Sequence, residues 1–276
     1  MLYMPIMTID GKSCFYQDRG TGFPLLFGHS YLWSSEMWEP QLEALSQEFR
    51  CIAPDLWGHG QSEVFSDLSM ELLADHAWKL MQTLGIDQFG VVGLSVGGMW
   101  GTHLALNHPE AVKALVLMDT YVGSEPQATQ LRYFALIDQF EKAGKFTPAL
   151  LDQIVPLFFS KATFQENPEL PVRFRESLSS FPAEKIPCIA SLGRAIFSRE
   201  DLLGRFSSLA LPTLVVVGKD DIPRPPKEAQ EMASCLSNSM LIEVEEAGHI
   251  SNLEQAEMIN QLLSEFLTLN VYGIKQ

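Results

Sequence analysis

The stretch FGVVGLSVGG, residues 89 to 98, constrains what this chain can fold into more than any other. An apolar run of strand length leads into a serine set among glycines, and the VGGMWGTHLALNHP that follows has the composition of a helix ended near Asn107 and Pro109. A serine inside an ordinary strand needs no such company. The glycines point to a turn so tight that Ser95 is held in strained backbone geometry while the side chains beside it must nearly vanish. Gly93-Leu94-Ser95-Val96-Gly97 fits G-x-S-x-G in the strand-to-helix setting such a turn requires, with the hydroxyl held up at the helix N-terminus.

The rest of the chain supplies a sheet for that turn. PIMTI, SCFYQ, PLLFG and RCIAPD read as strands, helical patterns run over 36–48 and 69–84, and FGVVGL and AVKALVLMD are apolar throughout, as strands buried on both faces are. This alternation predicts an α/β fold, a mostly parallel sheet with helices on both faces. It stops after Asp119. Residues 124 to about 208 read instead as short helices separated by prolines at 148, 156, 168, 171, 182 and 187. It resumes with LPTLVVVGKDD, a helix over 226–236, the strand MLIEVEEAG and a last helix from about 252 to 269. The expected organisation is a core of residues 1–123 and 209–276 with 124–208 inserted as a helical cap. Charge divides the same way: the insert holds ten basic and ten acidic residues against nine and 24 elsewhere, so the core carries the whole net charge of −15.

With 276 residues, 46% of them hydrophobic, the chain can bury a sizeable core. Its net charge of −15 argues against nucleic acid and anionic lipid surfaces as partners, since phosphates are repelled at long range. No segment approaches membrane-spanning length, and the opening MLYMPIMTIDGKS lacks the basic start of a secretory signal. Cys14, Cys51, Cys188 and Cys235 lie far apart and form no C-x-x-C pair, so a reduced, cytoplasmic compartment is expected.

Serine is a poor nucleophile alone and needs a base within hydrogen-bond reach, itself oriented by a third group. Of the six histidines, His249 in EEAGHISNLEQ follows the last strand and precedes the last helix, which places it at the carboxyl edge of the sheet beside Ser95. His76 and His103 fall in helices as packing or surface residues. His59 in DLWGHGQS and His108 before a proline read as loop residues, and His29 reads as a loop anchor. An acid is expected at an intervening strand end, where VVVGKDD offers Asp220 and Asp221. The order serine, aspartate, histidine at three strand ends is far more specific than any one motif.

Taken together, PLLFGHSYLWSSEMW, APDLWGHGQS, GLSVGG, LPTLVVVGKDD and AGHISNLEQ make the chain resemble an α/β-hydrolase over essentially its full length, with an eight-stranded sheet. The GHISNLEQ stretch and helical cap are most similar to the branch of 3-oxoadipate enol-lactonases, small carboxylesterases and perhydrolases. The resemblance implies that the acid is the third residue beyond Gly218, hence Asp221. It also implies an oxyanion hole from the backbone N–H groups of Val96 and Tyr31, although His29-Ser30 stands where the family's usual pair is His-Gly.

The expected activity is that of a serine hydrolase acting on a small-molecule ester or lactone through an acyl-enzyme, with no metal or organic cofactor implied. Family members with an aspartate nucleophile, such as dehalogenases, are disfavoured by the serine at 95. Perhydrolase or haloperoxidase-like activity needs the same triad, and a triad-containing ligand receptor is the rival from another class. Trp33, Trp38, Trp100, Phe134, Phe158 and Phe159 are candidates for the substrate pocket. Oligomeric state is not legible.

Overall fold

The structure is a computed structural model that describes residues 5–273. The first four residues, part of the stretch on which the expected lack of a secretory signal rests, lie outside the described residues. The strands are β1 Ile6–Ile9, β2 Lys12–Arg19, β3 Phe23–Gly28, β4 Phe49–Pro54, β5 Phe89–Leu94, β6 Val112–Met118, β7 Thr213–Gly218 and β8 Ser239–Val244. They form one sheet in the order β1-β2-β4-β3-β5-β6-β7-β8. The hairpin of β1 with β2 and the β2–β4 pair are antiparallel, and every pair from β4 through β8 is parallel. The α/β-hydrolase fold with a mostly parallel eight-stranded sheet is therefore present.

Helices cover both faces: α1 Glu39–Leu45, α2 Met70–Thr83, α3 Val96–Asn107, α10 Pro226–Cys235, α11 Ser251–Glu254 and α12 Ala256–Tyr272. Between β6 and β7 lie α4 Gln127–Ala143, α5 Pro148–Phe158, α6 Lys161–Glu166, α7 Glu169–Ser179, α8 Ile186–Phe197 and α9 Leu203–Phe206. Adjacent residues of β5 show why its sequence is apolar throughout. A Cβ on Gly90 would touch Leu267 of α12, while Val91 reaches Gly101 of α3, so the strand is covered on opposite sides.

The helical pattern of 36–48 resolves into a 3-10 turn, Ser35–Trp38, and the shorter α1. The last helical segment is broken at Gln255, whose φ of −130° leaves helical geometry and separates α11 from α12. Among the described residues no helix is long and apolar enough to cross a membrane. Because β3 sits between β4 and β5, chain order reverses there, and the carboxyl ends of β3 and β5 open onto the crevice where ligands of such sheets bind.

Candidate active site

Ser95 joins β5 to α3 at φ 57°, ψ −118°, a left-handed backbone that side chains rarely adopt. Its N–H donates to the Met118 carbonyl at 2.9 Å, and its own carbonyl accepts from the Thr120 hydroxyl at 2.6 Å. The glycines around it leave no room for side chains. A Cβ on Gly97 would lie 2.0 Å from the Gly28 carbonyl oxygen, and one on Gly93 would lie 2.4 Å from the Gly97 backbone. Strand, elbow and helix touch backbone to backbone.

His249 and Asp221 meet this serine from two other strand ends. The serine hydroxyl is 3.0 Å from His249 Nε2, and His249 Nδ1 is 2.9 Å from Asp221 Oδ2. These contacts assign the proton to Nδ1, which donates to the carboxylate and leaves Nε2 as acceptor for the serine O–H. Burial pulls the His249 pKa down to about 4, with the Asp119 carboxylate opposing, so the ring is a neutral base at rest. Burial pushes the Asp221 carboxyl up, against the opposing backbone N–H and guanidinium of Arg224. That N–H donates to Asp221 Oδ1 at 2.8 Å. Asp220, next door, is exposed.

Several supporting residues escaped the sequence reading. Asp119, fully buried at the end of β6, accepts from the Gly218 N–H at 2.9 Å and the Ser251 hydroxyl at 2.6 Å, tying the acid strand to the residue two past His249. A charged residue closing the apolar AVKALVLMD was the available signal, since a buried carboxyl must find donors. Glu254 holds the Gly248 N–H on Oε1 and the Ser160 N–H on Oε2, both at 2.8 Å. His249 N–H donates to the Phe158 carbonyl at 3.0 Å, so the inserted helices grip the histidine loop directly. Glu125 and Arg199, from the two ends of the insert, form a buried ion cluster with Arg224 at 2.7 to 2.9 Å.

The loop after β3 brings Tyr31 to the same pocket as Ser95. Among the described residues the amide N–H groups of Tyr31 and Val96 have no protein acceptor. The loop is pinned from behind: His59 Nε2 accepts from the Leu32 N–H at 3.1 Å, and His29 Nε2 accepts from the Leu56 N–H at 2.8 Å. Burial lowers the pKa of both rings and keeps them neutral acceptors. The positive φ of this loop falls on Leu32, at 68°, and not on Ser30, so position 30 needs none of glycine's freedom.

A pocket of about 70 Å³ opens on Ser95 and His249. Of the six aromatic candidates only Phe158 lines it. Trp38 and Trp100 are core residues instead, Trp38 packed on Phe27 with ring centroids 5.3 Å apart and Trp100 wedged beneath Gly28. Trp33 stacks on Phe174 at 4.6 Å, Phe159 packs edge-on against that same phenylalanine, and Phe134 is half-buried against the core. The pocket wall combines Met99, Leu136, Ile137, Ile154 and Ile196 with Phe140 and Phe197, and Tyr133 and Arg224 also line it. Helical spacing reports that an aromatic is buried but not which side of the insert it faces.

Comparison with known proteins places this geometry in a family. The chain is 30% identical over 259 residues to 2-hydroxymuconate semialdehyde hydrolase of Pseudomonas putida, covering 91% of this chain and 89% of that one. A thermophilic esterase from Thermogutta terrifontis superposes with a TM-score of 0.86 at 29% identity, covering 96% of each chain. The enol-lactonase of Burkholderia xenovorans LB400 superposes at 0.85 with 26% identity, covering 96% of this chain and all of that one. Residues 24–256 match the family model described as the alpha/beta hydrolase fold, and the chain belongs to that family of hydrolases.

Proposed function

We propose that this hydrolase cleaves a carboxylic ester or lactone by covalent catalysis at Ser95, with residues 124–208 serving as the lid over its acyl pocket. The observation that carries the reading is the unbroken relay from Ser95 Oγ through His249 to Asp221, at 3.0 and 2.9 Å. As the serine oxygen attacks the carbonyl carbon, its proton passes to Nε2, and Asp221 stabilises the imidazolium that forms. The amides of Val96 and Tyr31 receive the oxyanion. Collapse of the tetrahedral adduct expels the alcohol, which takes the proton back from Nε2. Water, deprotonated by the same nitrogen, then releases the acid. An enol-lactonase and an esterase among the structural neighbours support a carbonyl substrate of this class.

A fluorophosphonate probe tests the reading. Wild-type protein is expected to be labelled at Ser95 alone, and Ser95→Ala to lose at least about 10⁴-fold in kcat for p-nitrophenyl esters with its melting temperature unchanged. Labelling at another residue, or turnover surviving in the alanine variant, would remove Ser95 as the nucleophile.

A further inference from the structure

Two side-chain hydroxyls of the acyl pocket make no hydrogen bond among the described residues, and only one of them is open to the pocket. Six side chains with polar atoms line it. Ser95 and His249 belong to the relay, and the Tyr31 hydroxyl donates to the Ile189 carbonyl at 2.7 Å. Arg224 Nη2 is held by Glu125 at 2.7 and 2.9 Å, and its Nη1, 3.5 Å from Glu228, is sealed away like the Ser30 hydroxyl. The Ser30 hydroxyl has no partner either, but it is sealed away and cannot meet a ligand. That leaves Tyr133, on α4 of the insert, whose hydroxyl makes no hydrogen bond among the described residues yet is not sealed off as the Ser30 hydroxyl is. The residue is only 9% exposed, and its ring stacks on Phe197 with centroids 4.0 Å apart and planes within 5°.

A phenol so placed has a physical cost. Once a ligand fills the pocket and excludes water, a hydroxyl left without a partner costs about 1–3 kcal/mol, and phenylalanine would fill the same space without that cost. The stacked ring holds the phenol oxygen in place in advance of any ligand. Burial pushes its pKa up to about 12, which keeps it a neutral donor, and Arg224 lies close enough to act on it electrostatically.

We infer that the Tyr133 hydroxyl is a specificity-determining donor that recognises a second oxygen of the substrate, a neutral carbonyl or ether oxygen on the acyl group, in addition to the carbonyl that Ser95 attacks. The inference rests on reading this pocket as the acyl site. The rest of the wall is apolar, aliphatic side chains together with Phe140, Phe158 and Phe197, so the acyl chain it selects is apolar apart from that one acceptor. Sites built to hydrogen-bond a substrate group reject analogues that lack it, because the protein's own group is then left unpaired.

The test compares p-nitrophenyl esters whose acyl chain carries a ketone oxygen on the β, γ or δ carbon with the all-carbon esters of equal length, in wild type and in Tyr133→Phe. At least one oxo ester is expected to exceed its all-carbon partner about tenfold in kcat/KM in wild type, and that ratio to fall toward one in Tyr133→Phe. Reading a ratio within each protein cancels any general damage to the relay. Melting temperature separates the alternatives: loss of an unpaired hydroxyl leaves it unchanged or higher, whereas loss of a structural one lowers it. Affinity of the same esters for Ser95→Ala gives the ratio without turnover, so the inference stands or falls even if no ester is hydrolysed. No oxo preference in wild type, or a preference that survives in Tyr133→Phe, would overturn it; hydrolysis of no ester at all would instead remove the esterase reading.

Discussion

Around Ser95 the supports are backbone pressed on backbone, with Gly97 against Gly28 and Gly93 against Gly97, whereas around His249 and Asp221 they are buried polar side chains reaching across the sequence. The first kind of support depends on space. It is set by residues within a few positions of the serine plus one strand beside it, and it tolerates no added atom. The second depends on matched donors and acceptors, with Asp119 serving Ser251 across 132 positions and Glu254 serving Ser160 across 94. Steric support fixes one atom rigidly. Polar support couples His249 and Asp221 to the helices between β6 and β7, so that anything shifting those helices also shifts the two side chains.

The comparison breaks most visibly at the acid. Asp221→Asn keeps the shape of the side chain but offers His249 Nδ1 an amide that can stabilise the wrong tautomer, and the expected loss is about 10⁴-fold in kcat with KM changed far less. Asp220→Asn is expected to cost less than about tenfold, because Asp220 is exposed while its neighbour meets the histidine at 2.9 Å. Steady-state kinetics of the two variants decide the matter. A reversed order would mean that the acid lies one residue earlier.

On the steric side the sharpest probe is Gly97→Ala. The new Cβ would lie 2.0 Å from the carbonyl oxygen of Gly28, a backbone atom that cannot rotate aside. Either β3 or α3 must move. Overpacking of this kind costs about 1–3 kcal/mol, and because Gly28 leads directly into the loop of Tyr31, a displacement approaching an ångström is expected to lower kcat about 10²-fold. Thermal unfolding and kcat measured on one preparation test both effects. A variant with wild-type stability and turnover would show that the elbow is looser than its contacts suggest.

The same contrast explains what could be read from the sequence. Ser95 and its glycines form a local pattern whose physical demand is written into neighbouring positions, and chain order points to His249 and to Asp220 or Asp221 once the strands are located, the choice of Asp221 coming from the family resemblance. Asp119 shows only as a charge closing an apolar strand, and Glu254, Glu125 and Arg224 carry no local mark, since each side chain reaches a partner far away in the chain. The pocket was the least legible part. Trp38 and Trp100 satisfy any rule for a buried aromatic and are buried, but in the core, whereas Tyr133 and Ile137 face the serine from α4 because of how the insert docks. Periodicity along a helix fixes its buried stripe and says nothing of what that stripe meets.

The smallest expected effect tests whether polar support reaches the base from outside the relay. Glu254 makes no hydrogen bond to the three relay residues among the described residues, although its charge acts on His249 and Asp221, and its carboxylate spans two regions, with Oε1 taking the Gly248 N–H and Oε2 taking the Ser160 N–H and the Thr163 hydroxyl. Glu254→Gln replaces one acceptor oxygen by an NH₂ group. If the amide oxygen stays on Gly248, the NH₂ faces the Ser160 N–H, and two donors then meet where one acceptor is needed. If the amide flips, the conflict moves to Gly248, the residue before His249. The Thr163 hydroxyl can turn to accept from the NH₂, but a backbone N–H cannot, so one buried donor is left unpaired in either case, at about 1–3 kcal/mol. The expected result is a lowered melting temperature together with a loss of kcat of up to about tenfold, with KM following to the extent that the insert shifts over the pocket. Unchanged kcat beside a lowered melting temperature would show that the histidine loop holds its place without the insert, and polar support would then be a matter of stability alone.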